Sequence, residues 1–253
     1  MSKARANMVE IFSSIQGEGM LVGLRQVFLR FHGCNLACAY CDTRETHQSP
    51  PPDFCDREET PGRRDFTSIA NPIDIQTLRE VLVRWVYRHP GIHHSISLTG
   101  GEPLLHGETL VEWLPVLRSV LPVYLETNGT LIPELSRCID FFDHISMDVK
   151  LPSSSGLDDL WERHRSFLSI ACRKNVFVKI VVGAATQLSE IARTCDLITS
   201  VDKCIPLVIQ PMTGASGEIA VSSSSLLAYQ EYAGACLHEV RIIPQTHKFL
   251  RML

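Results

Sequence analysis

Apolar residues Ile75, Leu78, Val81, Leu82, Trp85 and Val86 recur at three- and four-residue steps, the spacing that lays one stripe of a helix against a core. Ser95-Ile96-Ser97-Leu98 then reads as a strand and ends in Thr99-Gly100-Gly101-Glu102-Pro103. Leu110, Trp113, Leu114 and Leu117 predict the next helix, with Pro115 marking a kink. The alternation continues to the end of the chain. Strands are expected over 123–125, 144–150, 176–182, 205–210 and 240–243, and helices over 132–139, 157–172, 188–199 and 226–236. Upstream, Val9, Ile11 and Ile15 alternate as a short strand, and Val27-Phe28-Leu29-Arg30-Phe31 reads as another. About seven strands alternating with six helices imply parallel βαβ units, an α/β barrel or partial barrel.

Residues 44–71 break the rhythm. Pro50-Pro51-Pro52, Asp53, Asp56, Arg57, Glu58, Glu59, Pro61, Gly62, Arg63 and Arg64 are too polar and proline-rich for a regular element. The segment reads as an insertion over one rim, with Cys55 an exposed thiol within it. The whole chain, 1–253, reads as a single domain that carries this insertion.

Polar residues of unusual type fall where the strands end. Gly-Gly-Glu-Pro at 100–103, Glu-Thr-Asn-Gly at 126–129, Lys150, Gln210-Pro211-Met212 and Gln245-Thr246-His247-Lys248 all follow or close a strand. In a barrel of parallel strands those ends share one mouth, where ligands bind. Arg30 sits near the end of its apolar run, where a guanidinium needs an anion. Gln16-Gly17-Glu18-Gly19 suits either a surface turn or a backbone that approaches a ligand closely.

Composition narrows the class. Apolar residues make up 45% of 253, ample for a core, and a net charge of −4 spread along the chain excludes a basic nucleic-acid binder. No apolar run approaches the ~18 residues that span a bilayer. Residues 1–10 carry no apolar stretch that would predict a secretion leader. Nine cysteines, an odd number without a disulfide framework, point to a reduced, cytoplasmic setting.

The chemistry centres on Gly33-Cys34-Asn35-Leu36-Ala37-Cys38-Ala39-Tyr40-Cys41-Asp42-Thr43. Three thiolates from one loop can hold three irons of a [4Fe–4S] cube and leave the fourth open to a chelating ligand. Zinc completed by His32 or Cys55 is a second reading, and inert thiols a third. The spacing C-x3-C-x2-C, with an aromatic residue before the last cysteine, resembles the radical S-adenosylmethionine (SAM) superfamily. Ser14-Ile15-Gln16-Gly17-Glu18-Gly19, Arg30, the cysteine loop, Thr-Gly-Gly-Glu-Pro, Glu-Thr-Asn-Gly, Gln-Pro-Met and Gln-Thr-His-Lys, in that order, resemble the 7-carboxy-7-deazaguanine synthase family.

That resemblance implies a modified, incomplete parallel (βα) barrel, commonly a homodimer. It implies conversion of 6-carboxy-5,6,7,8-tetrahydropterin to 7-carboxy-7-deazaguanine with release of ammonia, in the route to queuosine. An electron from flavodoxin or ferredoxin would cleave SAM to a 5′-deoxyadenosyl radical, and hydrogen would later return, so that SAM is regenerated. Carried over residue by residue, Cys34, Cys38 and Cys41 hold the cluster, and Thr43 binds Mg²⁺. Tyr40, Cys41, Asp42, Gly101, Ser146, Asp148 or Lys150, and Gln210, Pro211, Met212 and Thr213 meet SAM. At Gly101 a side chain is expected to block backbone pairing with the methionyl amino group. Ile15, Gln16, Gly17, Glu18, Arg30, Thr99 and His247 contact the pterin. Ser146-Met147-Asp148-Val149-Lys150 is longer than the Ser-Pro-Lys of some members, which leaves the choice between Asp148 and Lys150 open.

Plainer roles are expected elsewhere. Cys138, Cys172, Cys195, Cys204 and Cys236 read as core thiols, Trp85 and Trp113 as core, and His93 and His94 as surface. Lys179 points either to the mouth or to the core. The rival functions are another radical SAM enzyme, such as a glycyl-radical activase, and a non-catalytic zinc-binding α/β protein.

Overall fold

The computed structural model describes residues 4–47, 49–214 and 217–252. Its strands are β1 (Arg5–Ala6), β2 (Met8–Ile15), β3 (Arg25–Phe31), β4 (Phe54–Glu58), β5 (Phe66–Ala70), β6 (Ile73–Asp74), β7 (Ser95–Gly100), β8 (Val123–Thr127), β9 (His144–Val149), β10 (Asn175–Val182), β11 (Leu207–Pro211) and β12 (Val240–Ile242). The helices are α1 (Ile75–Arg88), α2 (Gly107–Arg118), α3 (Ile132–Cys138), α4 (Pro152–Ser155), α5 (Trp161–Ala171), α6 (Leu188–Thr199), α7 (Ser223–Gly234) and α8 (Thr246–Leu250).

One sheet runs β12-β11-β10-β9-β8-β7-β3-β2-β4-β5. From β12 to β3 every pairing is parallel, and β2 then runs antiparallel to β3. The sheet curls into an incomplete barrel, because the turn Gly19–Leu21 after β2 packs across the interior onto β10 and β11. β10 shows how each strand divides its side chains. Val176, Val178, Ile180 and Val182 face the helices and join the main core. Phe177 faces inward, where it packs with Tyr124, Val208, Met20, Leu21 and Ile243. This inner apolar plug closes the barrel beneath the mouth.

The helices fall close to their expected positions, and Trp85 and Trp113 are buried as the spacing requires. α2 continues through Pro115 to Arg118. The expected 157–172 helix is two pieces, because Gly156 ends α4 at φ +71° and α5 starts at Trp161. No helix among the described residues is long and apolar enough to cross a membrane.

The 44–71 segment corrects the sequence reading. β4 and β5 form a hairpin, and β4 pairs in parallel with β2, so the segment extends the sheet. A buried carboxylate fastens it: Glu58 accepts from the backbone N–H of Ser13 (2.9 Å), Gly62 (2.8 Å) and Arg64 (2.7 Å). Period-2 alternation turns Cys55 inward while Phe54 and Asp56 face out; Glu58 shares their side of the strand and is buried at its end by the turn it binds through Gly62 and Arg64. Cys55 is therefore a core thiol, not an exposed one, and burial pushes it up to about 12. Conversely Cys172, Cys204 and Cys236 are exposed, and only Cys138 and Cys195 of that set are buried. All three exposed thiols stand at or beyond helix ends, outside the apolar stripe. His93 is also buried, its Nε2 2.8 Å from Ser13 Oγ, and desolvation lowers it to about 4.

Candidate active site

The loop after β3 turns at Gly33, where φ is +96°, and carries Cys34, Cys38 and Cys41, all half-buried and free. It is pinned on several sides. Gly33 N–H donates to Thr46 O (2.8 Å), Glu102 N–H to Gly33 O (2.8 Å) and Ala39 N–H to Ser155 O (2.8 Å). The Asn128 side chain donates to Asn35 Oδ1 at 2.9 Å and lies 4.0 Å from Cys34 Sγ. Gly101 packs flat on the turn, where a Cβ would run into the Gly33 carbonyl. The glycine is thus demanded by the cysteine loop's own backbone, a steric reason nearer to hand than the one expected from sequence.

Glu102, fully buried, braces this arrangement. It accepts from Leu104 N–H (3.1 Å), Thr127 Oγ1–H (2.9 Å) and Asn128 N–H (2.7 Å), so it knots the β7 loop to the β8 loop. Desolvation raises it to about 7 against these hydrogen bonds.

The strand ends and the cysteine loop enclose a cleft of about 410 Å³. Cys34, Cys38, Tyr40, Cys41, Asp42, Thr43, Gly101, Ser146, Asp148, Lys150, Gln210, Met212 and Thr213 line it, as do Ile15, Gln16, Gly17, Glu18, Arg30, Thr99 and His247. Pro211 does not: it lies buried in β11, paired with Val182. Asp148 and Lys150 both line the cleft and pair with each other at 2.8 Å. Phe12, Phe28, Glu126, Lys179, Gln245 and Lys248 also line it. Glu126, Gln245 and Lys248 stand in the strand-end motifs already singled out. Phe12 and Phe28 stack at 5.0 Å and carry no sequence mark beyond their apolarity.

The end of the cleft away from Cys34 and Cys38 is built from segments far apart in the chain. Thr246 N–H donates to Gly17 O at 2.8 Å, and a Cβ on Gly17 would strike the His247 ring. Gln-Gly-Glu-Gly and Gln-Thr-His-Lys therefore meet face to face. Gln16 Nε2 donates to Gln26 Oε1 (2.9 Å) and Glu126 Oε1 (2.7 Å), and Thr99 Oγ1 donates to Glu126 Oε2 (2.6 Å). Arg30 pairs through Nε with Glu10 Oε2 at 2.8 Å and lies 5.5 Å over the Phe12 ring. That pair leaves its terminal nitrogens for another anion.

Charges at the floor are matched within the chain. Lys179 Nζ lies 2.5 Å from Glu18 Oε2 and 3.3 Å from Asp148 Oδ2, and Gln245 Nε2 donates to Glu18 Oε1 at 2.7 Å. Burial alone would raise Glu18, but Lys179 above all, with Gln245 and His247, outweighs it and holds the carboxyl at about 2. Burial likewise opposes the charge on Asp148, which Lys150 and Lys179 restore, holding it below the usual range. Glu18, Asp42 and His247 bring ligand atoms within 4.8 Å of one another, yet both Glu18 oxygens are already engaged.

Two observations bear on a cluster and its ligand. Desolvation pushes the Cys34 and Cys38 thiols above their ordinary value, so bound cations are needed to hold them as thiolates. Tyr40 Oη, Asp148 Oδ1 and Gln210 Oε1 are buried without a hydrogen-bond partner, and all belong to cleft-lining residues. Buried polar atoms are normally satisfied, so these fit a polar ligand such as SAM beside an iron–sulfur cluster. Zinc completed by Cys55 does not fit, because that thiol packs in the core under β4.

Comparison with known proteins agrees with this chemistry. The radical SAM superfamily model matches residues 28–181. The 7-carboxy-7-deazaguanine synthase of Geobacter sulfurreducens is 51% identical over 253 residues, 100% of both chains. That of Methanothermobacter thermautotrophicus is 36% identical over 265 residues, covering 97% of each. Among solved structures, QueE from Escherichia coli superposes with a TM-score of 0.58 at 20% identity, over 96% of this chain and 95% of that one. A radical SAM methyltransferase from Sphaerobacter thermophilus gives 0.59 at 11% identity, over 93% and 77%. At these identities the two structures speak for the fold.

Proposed function

This chain belongs to the radical SAM superfamily and, within it, to the 7-carboxy-7-deazaguanine synthases, and from that premise we propose how its cleft serves the reaction. The chain converts 6-carboxy-5,6,7,8-tetrahydropterin to 7-carboxy-7-deazaguanine with loss of ammonia, as one radical SAM domain over 1–253. The observation that carries this reading is the contact of Gly17 with His247 beside the cysteine loop, which brings the family's narrower signature into one mouth. The rival readings, a glycyl-radical activase and a zinc protein, give no reason for that contact.

Cys34, Cys38 and Cys41 hold the [4Fe–4S] cluster. With the cluster and SAM held by these residues, the site would have the radical hydrogen-abstraction chemistry that the reaction needs. Tyr40, Asp148 and Gln210 line the cofactor end beside Lys150 and offer SAM their unpartnered buried atoms. At the other end Arg30 grips the substrate carboxylate through its terminal nitrogens, and Glu18, Glu126 and Thr99 face the donors and acceptors of the pterin ring. The stacked Phe12 and Phe28 rings give that ring an apolar wall and keep water from it. A flavodoxin or ferredoxin supplies the electron, and the enzyme works as a cytoplasmic homodimer.

The test is turnover. Anaerobically reconstituted protein with SAM, a low-potential reductant and the carboxy-tetrahydropterin is expected to yield 7-carboxy-7-deazaguanine and ammonia with little net loss of SAM. SAM cleavage that ignores the pterin would overturn the reading.

Thr43 is the Mg²⁺ residue in this scheme, and one neutral hydroxyl is a weak ligand for a hard cation. Mg²⁺ is therefore expected to bind appreciably only when substrate oxygens complete its shell. Thr43→Ala should raise the Mg²⁺ concentration needed for half-maximal activity. Calorimetry showing tight Mg²⁺ binding to substrate-free protein would contradict this.

A further inference from the structure

Lys179 is a charged group of the cleft that no role above uses. Lys179 stands at an inward position of β10, beside Asp148 of β9 and Val208 of β11. Its ammonium bridges two carboxylates at the floor of the site: Glu18 at 2.5 Å and Asp148 at 3.3 Å. Asp148 has a second cation, Lys150, at 2.8 Å. Among the described residues, the Glu18 carboxylate is bound directly by Lys179 and by the neutral amide of Gln245. The two carboxylates therefore depend on Lys179 unequally.

We propose that Lys179 is a positioning residue for the substrate: it holds Glu18 as a charged, oriented hydrogen-bond acceptor for the pterin while anchoring that carboxylate to the cofactor end through Asp148. This rests on the synthase reading above. The other groups around Glu18 do not replace it. His247 on α8 contributes a smaller attraction, Asp148 on β9 is of like charge, and Asp42 in the cysteine loop is acidic. Around Lys179 itself stand Asp148, Glu18 and, farther off, Glu126 on β8. Without the ammonium, burial is opposed by only the Gln245 hydrogen bond and the weaker attraction of His247, and the balance moves toward the protonated carboxyl. A protonated Glu18 loses one acceptor oxygen and is free to rotate away from Gln245.

The direction with pH follows from which state binds. With Lys179 present, the Glu18 carboxyl sits at about 2, so it is charged at every working pH. In Lys179→Met it titrates far higher, and the fraction able to accept from the pterin falls as pH falls. Pterin affinity is to be measured anaerobically by calorimetry on cluster-loaded protein with SAM and no reductant, at pH 6, 7.5 and 9. Wild type must bind first; if it does not, the synthase reading fails and not this inference. Lys179→Met should then bind roughly tenfold to a hundredfold more weakly at pH 6, recover toward pH 9, and lose far less SAM affinity. Lys179→Arg, which keeps the charge, should restore most of the pterin affinity. Glu18→Gln should bind weakly with no such recovery, and serves also if Lys179→Met does not fold. Unchanged pterin affinity in Lys179→Met or in Glu18→Gln would overturn the proposal. So would a loss that is equal at all three pH values and not restored by arginine.

Discussion

Changing any one of Cys34, Cys38 and Cys41 to alanine is expected to abolish the cluster and reduce SAM cleavage to background, while Cys55→Ala keeps both. The contrast follows from where the thiols lie. The three loop thiols are half-buried at the cleft, on a loop pinned by backbone hydrogen bonds from Gly33, Ala39 and Glu102 that do not involve sulfur. Removing one should leave the loop and the fold in place and delete one iron ligand, and a cube with two protein thiolates and two open irons does not persist. Cys55 is fully buried under β4, and its loss should cost about 1–2 kcal/mol of stability with no change in iron. Iron content, visible absorbance and EPR after anaerobic reconstitution read the first effect, and thermal melts the second. Loss of the cluster on changing Cys55 would overturn the ligand assignment.

Arg30→Ala should weaken binding of the carboxy-tetrahydropterin by roughly a hundredfold, because a desolvated charge pair loses its partner. A guanidinium grips a carboxylate with two parallel hydrogen bonds, so Arg30→Lys should recover little of it. The pair with Glu10 engages Nε and the Phe12 ring lies beneath, so the fork is held in one orientation before substrate arrives. A misaimed carboxylate also misplaces the neighbouring C–H, so the chemical step should slow as well. SAM affinity should stay near wild type, since its expected contacts come from other loops. Glu10 and Arg30 are both partly exposed, and losing their pair should cost only about 1 kcal/mol. If both variants melt early yet bind the pterin normally once folded, Arg30 is structural and the substrate is placed wrongly.

Much of this site is legible in the chain, and the reasons differ from residue to residue. α1, with Leu78, Val81, Leu82 and Trp85 on one face, is an amphipathic helix of ordinary length, and its period names it. The cleft residues are legible because parallel strands end together, so Gly101, Lys150 and Gln210 converge although they lie far apart. Lys179 is not settled from sequence, because β10 is buried on both sides and no alternation of polar and apolar residues shows which face looks inward. Only the built sheet puts Phe177, Lys179 and Val181 on the inner face. Composition misleads at 44–71: a short hairpin with one face in solvent needs few apolar residues, and Cys55, Glu58 and the backbone supply the rest. Glu102 reads as part of a loop motif, yet its three hydrogen bonds reach backbone and side-chain groups that no spacing rule connects.

The junction of Gly17 with residues 245–248 also sets an order of events in time. Gln245 and Glu18 are 227 positions apart, so their hydrogen bond closes almost the largest loop the chain can make. Such a closure is entropically among the last to be rewarded, and in vectorial synthesis its second partner emerges long after its first. The cysteine loop, by contrast, rests mainly on partners within the first two-thirds of the chain, Thr46, Gly101, Glu102, Asn128 and Ser155. The nascent protein therefore passes through a stage in which the three thiols are gathered but the mouth above them is open. Iron delivery has its widest access in that interval, before the two ends of the fold meet and narrow the way in.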